Sequence, residues 1–319
     1  MLHWTVLFAV SFVLSALLVR FGAKFNARHG IVGTDINKRD KALIPESVGI
    51  FLLPGLFAVS ILFLAQPLGG NIWAWLMTTA AFSIIGFSDD FSQRVLKKDI
   101  PWRVRAAAIA LVSLAFAFFY SQDFAPWPLW MALFSLYLAG MASFQNTFAG
   151  LNGWEVGSGF IVSVFVALLL SPTRLFWPAV ALSGAILGLL FFNRFPARVF
   201  PGDSGTLLIG SALASLLLMS QDLRIIAGGF LFFLPHAIDF YVIKLGTNIS
   251  DATQKKSKPY AVGFDGKLSV PGSGKSGLDF AKVIIRAFGP LAEWKIVAVI
   301  WFVVAANCAF WFYFFSGLV

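Results

Sequence analysis

Charge is scarce in this chain: Asp, Glu, Lys and Arg make up 12% of the 319 residues, against 59% hydrophobic residues. With a mean hydropathy of +0.82, that balance excludes a water-soluble domain of ordinary composition. Cysteine is almost absent. The single one, Cys308, stands in the last apolar run, which rules out a disulfide framework and a cysteine-based metal site. Of the few histidines, His3 and His29 have no metal-binding spacing. Internal repeats and paired Gly/Pro-broken apolar segments, the mark of many transporters, are missing as well. Any chemistry must therefore rest on carboxylates, amides and cations.

What the chain has in abundance is apolar length. At roughly 20 residues per bilayer crossing, about ten segments qualify, at 1–22, 47–65, 72–88, 104–120, 128–145, 157–170, 176–192, 205–219, 223–243 and 296–317. The expected fold is an all-α polytopic membrane protein with cytoplasmic catalytic loops, one domain over residues 1–319. The first run carries no basic stretch before it and no small-residue cleavage pattern, so it reads as a retained span. A loop over residues 244–295, rich in Lys, Gly, Ser and Asp, precedes the last span, with room for short strands or an amphipathic helix near 278–288.

Numbering the connections alternately sorts the cations. Every Lys and Arg except Arg174 and Arg224 falls on one side, which the positive-inside rule makes cytoplasmic. The acids divide the same way, with only Asp123 and Asp222 on the other face. The net charge of +9 suits anionic headgroups and phosphates better than nucleic acid, for which a lipid-embedded chain is a poor candidate.

On that acid-bearing side four polar clusters sit at helix ends: Ile44-Pro45-Glu46-Ser47, Gly86-Phe87-Ser88-Asp89-Asp90, Asn146 through Glu155, and Phe200-Pro201-Gly202-Asp203-Ser204. Each alone could be a solvated helix end or a cap. Together, in a chain that otherwise avoids acid, they suggest oxygen ligands for Mg²⁺, which takes one or two carboxylates plus phosphate oxygens, with Mn²⁺ as an alternative. Adjacent helical side chains diverge by about 100°, so Asp89 and Asp90 should have different partners.

These clusters resemble the motifs of the polyprenyl-phosphate N-acetylhexosamine-1-phosphate transferase superfamily, to which bacterial phospho-muramoyl-pentapeptide translocases belong. Asp35-Ile36-Asn37-Lys38 and Ile44-Pro45-Glu46-Ser47-Val48-Gly49 are similar to the dolichyl-phosphate branch, the UDP-N-acetylglucosamine–dolichyl-phosphate N-acetylglucosaminephosphotransferases of eukaryotes and archaea. Residues 146–155 match the family string Asn-x-x-Ala-Gly-Ile/Leu-Asn-Gly-x-Glu throughout, and residues 196–203 match Pro-x-[Arg/Lys]-Val-Phe-x-Gly-Asp. Asp265-Gly266-Lys267-Leu268 resembles a later loop element.

The resemblance implies transfer of N-acetylglucosamine 1-phosphate, or a related sugar phosphate, from a UDP-sugar to a polyprenyl or dolichyl phosphate. UMP would leave, in the first membrane step of lipid-linked oligosaccharide synthesis for N-glycosylation. It implies Mg²⁺ on Asn146 and Asp203, with catalytic Asp89, Asp90 and Asp203 beside the reacting phosphates. Substrate binding falls to Glu46, Asn152 and Glu155, and phosphate neutralisation to Lys97, Lys98, Lys255, Lys256 and Lys258. A lipid phosphate is mostly dianionic at neutral pH, since its second pKa is about 6, so the aspartates are expected first as positioners and only second as a base. The family's His/Arg-rich last loop is here Lys255-Lys256-Ser257-Lys258, point charges without the bidentate fork of arginine. Tunicamycin sensitivity, a homodimer and a multi-pass location are further expectations, in the plasma membrane of an archaeon or the endoplasmic reticulum of a eukaryote.

Other signals carry less. Gly272-Ser273-Gly274-Lys275-Ser276 lacks the first glycine of a phosphate loop, whose place Ser269 takes, and Asn248-Ile249-Ser250 is a glycosylation sequon on the cytoplasmic side. His236 and Asp239, at i,i+3, are expected to share a local helix-end hydrogen bond. The rival class is a secondary transporter, whose carboxylates would lie near the bilayer midplane instead of at one face.

Overall fold

A computed structural model of the chain describes residues 3–61, 69–247, 260–270 and 277–316. The apolar segments become helices α1 (Trp4–Arg28), α2 (Leu52–Ser60), α3 (Gly69–Phe91), α4 (Trp102–Tyr120), α5 (Trp127–Thr147), α6 (Trp154–Leu169), α7 (Phe176–Asn193) and α8 (Gly202–Met219). After them come α9 (Leu223–Phe232), α10 (Leu234–Ala237), α11 (Phe280–Phe288) and α12 (Glu293–Ser316). Among the described residues six helices are long and apolar enough to cross a bilayer, or seven if the bent pair formed by Leu223–Phe232 and Leu234–Lys244 counts as one. The chain is thus a helical membrane protein, and among the described residues the full-length spans number fewer than the expected ten. Val48–Ser60 and Trp154–Leu169 are apolar but short.

The 223–243 segment, expected as one span, bends by 55°. Pro235, in the first turn after the break, has no N–H to continue the ladder. Beyond α10 the helix widens into a π-helical turn over Ile238–Lys244. That register change explains why the expected His236–Asp239 hydrogen bond does not form: the His236 ring stacks 4.1 Å from Phe148, and Asp239 pairs with Lys244 at 2.6 Å.

Helix α8 is the axis of the bundle. Every residue from Ser204 to Met219 is buried, against α3 on one side and α5 on another. Its Gly, Ser and Ala positions let neighbouring backbones approach closely, as membrane helix packing requires. Leu, Phe and Val side chains exposed on α1, α4 and α12 form the outer surface, where lipid takes the place of a protein partner.

The connections carry little regular structure. Strands β1 (Val32–Thr34) and β2 (Leu43–Pro45) form an antiparallel pair that delivers Glu46 and Ser47 to the bundle. In the 244–295 loop, β3 (Ala261–Val262), β4 (Lys267–Ser269) and β5 (Leu291–Ala292) form an antiparallel sheet in the order β3-β4-β5. Helix α11 lies within the stretch read as amphipathic. Asp279 caps it by accepting from Lys282 N at 2.8 Å, and Asp239 accepts from Phe280 N at 2.8 Å.

Candidate active site

The acidic end of α3 meets the start of α8 because glycine permits it. A Cβ on Gly86 would lie 2.4 Å from the Asp203 carbonyl oxygen, so only glycine lets the two backbones touch there. Gly202 has φ +66°, a left-handed conformation, and a Cβ on it would lie 2.3 Å from Asp90 Oδ2. The two glycines of these motifs thus set the spacing between the aspartates that follow them.

Asp89 and Asp90 point to different partners, as their helical offset requires. Asp90 is buried, and its Oδ2 accepts from Ser47 Oγ at 2.6 Å and from Ser204 N at 3.4 Å. The two serine hydroxyls lie 2.8 Å apart, which stitches the chain before α2 to both α3 and α8. Asp89 turns the other way. Its Oδ2 accepts from Gln93 Nε2 at 2.8 Å and pairs with Arg105, while its Oδ1 is buried with no hydrogen-bond partner in the described structure. The same Arg105 Nη1 lies 2.9 Å from Asp203 Oδ2, so one guanidinium bridges carboxylates from α3 and α8.

Asn146, at the end of α5, accepts from Thr206 Oγ1 at 2.7 Å and touches the Asp203 carboxylate. Those two residues line a polar cavity of about 290 Å³ together with Glu46, Asn152, Glu155, Asp35 and Asn37. Four separate stretches of sequence therefore converge on one space. Glu46 is held by Arg94, whose Nη2 donates to Oε1 at 2.9 Å. That bond raises the Arg94 pKa above its ordinary value, and burial partly opposes it.

A second network stiffens the far wall. Asn37 Nδ2 donates to Gly150 O at 3.0 Å, and Asn152 Nδ2 donates to Asp35 Oδ2 at 2.9 Å. Buried Glu293, from the start of α12, accepts the Asn152 backbone N–H at 2.7 Å and pairs with Lys38. The loop between α5 and α6 is thus fastened to the first connection and to the last helix at once. Tyr260 adds a brace by donating to Asp279 at 2.8 Å; burial, reinforced by that neighbouring carboxylate, pushes its phenol well above the usual tyrosine range.

Of the expected lysines, Lys97 and Lys98 do not line this cavity. Lys97 adopts φ 56°, a left-handed turn that ends the π-helical extension of α3, and its Nζ donates to Arg94 O at 2.6 Å instead. Lys98 is exposed beyond it. Lys255, Lys256 and Lys258 lie outside the described residues, as do the sequon and the glycine-rich 272–276 stretch. The cations the structure does place at the acids are Arg94, Arg105 and Lys38. Their sequence signal was weak but present: Arg105 stands in the first turn of α4, where a helix dipole repels a cation and a partner must compensate.

No cluster of three or more carboxylate, imidazole or thiol side chains suited to a metal occurs among the described residues. Mg²⁺ does not need one, since it is commonly held by one or two carboxylates with the rest supplied by water and phosphate. Asp203 offers a carboxylate open to the cavity. Asn146 offers an amide oxygen beside it once the amide turns, and the orphaned Asp89 Oδ1 lies on the neighbouring helix end. The donor chemistry fits a hard divalent cation.

A second cavity, of about 540 Å³, is mainly apolar. It runs along α5 and the bent α9–α10 pair, lined by Leu133, Leu136, Tyr137, Gly140, Phe144 and Phe240 among others. Thr147, the residue after Asn146, closes it at one end. Lys244 holds that threonine's carbonyl and pairs with Asp239. Consecutive residues of α5 thus line the two cavities, Asn146 the polar chamber and Thr147 the apolar groove.

Comparison with known proteins gives this arrangement its relatives. The model of glycosyl transferase family 4 matches residues 72–221, the stretch from α3 through α8 that contains Asp89, Asp90, Asn146 and Asp203. A Methanocaldococcus jannaschii protein named as a glycosyltransferase is 29% identical over 92% of this chain and 91% of its own length. The phospho-N-acetylmuramoyl-pentapeptide-transferase of Halalkalibacterium halodurans is 29% identical over 70% of this chain and 76% of its own. That of Symbiobacterium thermophilum is 31% identical over 62% and 64%. Over the stretch from α3 through α8 the chain is thus similar to the polyprenyl-phosphate hexose-1-phosphate transferase superfamily. The matched region supplies Asn146, Asn152, Glu155, Asp203 and Thr206 to the lining of the polar cavity. Glu46 lies outside the matched stretch and still lines the same cavity, and the Lys38–Glu293 pair, also outside it, braces the cavity's wall through Asn152.

Proposed function

We propose that this transferase moves N-acetylglucosamine 1-phosphate, or a closely related N-acetylhexosamine 1-phosphate, from its UDP-sugar to a polyprenyl or dolichyl phosphate. The observation that carries the reading is that adjacent residues at the end of α5, Asn146 and Thr147, line a polar cavity and an apolar groove respectively. A sugar nucleotide needs the first and an isoprenoid tail the second. The lipid phosphate oxygen attacks the sugar-bearing phosphorus, the new P–O bond forms as the bond to the UMP oxygen breaks, and UMP leaves.

In this reading Asp203 and Asn146 hold Mg²⁺, which when bound supplies charge neutralisation for the diphosphate. The chain's own residues do the rest. Asp90, fixed by Ser47 and Ser204, holds the ends of α3 and α8 in register. Arg105 brings a cation to the carboxylates beside which the phosphates sit, and Asn152 and Asp35 keep the α5–α6 loop shaped for the nucleotide sugar. Phosphoryl transfer of this kind is mostly positioning and electrostatics, which suits a site built from braced acids and cations.

The cation asymmetry of the connections supports a cytoplasmic location for the site in a multi-pass protein. The dolichyl branch, with a role in N-glycosylation, rests on the Asp35–Lys38 and Ile44–Ser47 residues, and the full-length likeness to an archaeal relative suits a plasma-membrane setting. The relatives named for phospho-N-acetylmuramoyl-pentapeptide transfer favour a second substrate, the corresponding UDP-muramoyl-pentapeptide.

Purified protein in detergent, supplied with Mg²⁺, a polyprenyl phosphate and UDP-N-acetylglucosamine, should release UMP, and Asp203→Ala should abolish the release. Faster UMP release from UDP-muramoyl-pentapeptide would move the assignment to that substrate. Full turnover by Asp203→Ala would reject the metal site.

A further inference from the structure

We propose that Arg105 is the resident counter-cation of Asp203, a competitor that a divalent metal must displace and that then serves the transferring phosphate. The inference rests on the metal site assigned under the proposed function. Three observations carry it. Arg105 Nη1 lies 2.9 Å from Asp203 Oδ2, on the carboxylate that would ligate the metal. The same guanidinium pairs with Asp89, so it has a second anchor to keep when Asp203 is taken. Its side chain is 31% exposed, so the arm is free to move without unpacking the bundle.

Two cations cannot share one carboxylate face cheaply, since like charges at contact distance repel. Metal binding at Asp203 therefore pushes the guanidinium off that oxygen and onto Asp89. Arg105 keeps one carboxylate contact and regains the donors it had spent on Asp203. Five N–H groups in a planar fork then suit the equatorial oxygens of a phosphoryl group. The exchange keeps the acids neutralised in both states: by arginine when metal is absent, by metal and arginine when the diphosphate brings its own negative charge. A site so arranged binds metal weakly alone and better with the nucleotide sugar, whose charge offsets the extra cation.

The test is direct binding of Mn²⁺ to the detergent-purified full chain, read from the electron paramagnetic resonance signal of the free ion, without substrate. Arg105→Gln should tighten Mn²⁺ binding roughly fivefold, the release expected when a partly exposed ion pair no longer competes. Arg105→Lys, which keeps the charge on a shorter arm without the planar fork, should tighten it about twofold. UMP release at saturating metal should nevertheless fall in Arg105→Gln. Asp203→Ala should remove the site in every background.

Because Gln93 still donates to Asp89, Arg105→Gln is expected to fold, and gel filtration checks it. Should it aggregate, the lysine variant decides. Unchanged or weaker Mn²⁺ binding in the folded variants overturns the role of Arg105 and leaves the proposed function standing. Wild-type Mn²⁺ binding that ignores Asp203→Ala overturns both.

Discussion

Ser47 Oγ donates to Asp90 Oδ2 at 2.6 Å across 43 residues of sequence, and that bond ties the connection after α1 to the end of α3. Ser47 itself sits at φ 58°, a left-handed conformation uncommon for serine, held by its contacts to Asp90 and Ser204. Removing the hydroxyl leaves a buried carboxylate oxygen with only a 3.4 Å amide contact. Ser47→Ala should therefore cost about 1–3 kcal/mol of stability, the usual consequence of an unsatisfied buried polar group. Thermal unfolding in detergent measures this, and an unchanged midpoint would show that Asp90 does not depend on the bond.

Gly86→Ala makes a sharper demand. A Cβ there would meet the Asp203 carbonyl carbon and oxygen, both at 2.4 Å, and neither is a flexible side-chain end that could swing aside. The α3 and α8 backbones must part, and Asp89 and Asp203 move with them. Because displacements of about 1 Å at a reacting centre can cost 10²-fold in rate, UMP release should fall by at least that factor while the protein remains folded and monodisperse.

Much of this site was legible before any coordinates. The four polar clusters stood on one side by the charge count, and the 100° step between neighbouring helical positions already separated the partners of Asp89 and Asp90. What escaped was pairing over long distances. Nothing near Arg105 in sequence names Asp203, 98 positions away, and nothing near Glu293 names Lys38, 255 positions away. Such pairs are set by which helix ends abut, and hydrophobic periodicity does not report that. Lys97 and Lys98 stand apart from the polar cavity for a local reason: Lys97 is a left-handed residue at which the helical extension of α3 ends, and both side chains are exposed. The His236–Asp239 pair failed because i,i+3 spacing presumes an α-helix, and the helix has by then become π.

Glu293 offers a test of the outer brace. Its carboxylate holds both Lys38 and the backbone N–H of Asn152, so it sets the position of the α5–α6 loop without lining the polar cavity itself. Glu293→Gln keeps an acceptor for Asn152 but gives up the charge that binds Lys38, a loss of about 2 kcal/mol on the scale of hydrogen bonds to charged groups. If the loop shapes the nucleotide-sugar site, KM for the UDP-sugar should rise several-fold while kcat changes less, and KM for the lipid should stay put. Equal loss in both substrates would mean that the brace supports the whole bundle instead.

The apolar groove makes the last prediction, and it separates the two substrates by size. Gly140 lines the groove, and the nearest atom to a Cβ built there, Phe144 Cε2, is 4.0 Å away, so the backbone leaves room for a side chain. Gly140→Phe would put a ring into the space reserved for the acceptor tail. Each buried methylene contributes about 0.8 kcal/mol, so expelling two of them weakens lipid binding by roughly tenfold. KM for a long polyprenyl phosphate should rise by about that factor. A short acceptor that does not reach Gly140 should be spared, and KM for the UDP-sugar should not move, because Gly140 does not line the polar cavity. A variant equally impaired with short and long acceptors would place the isoprenoid elsewhere on the bundle.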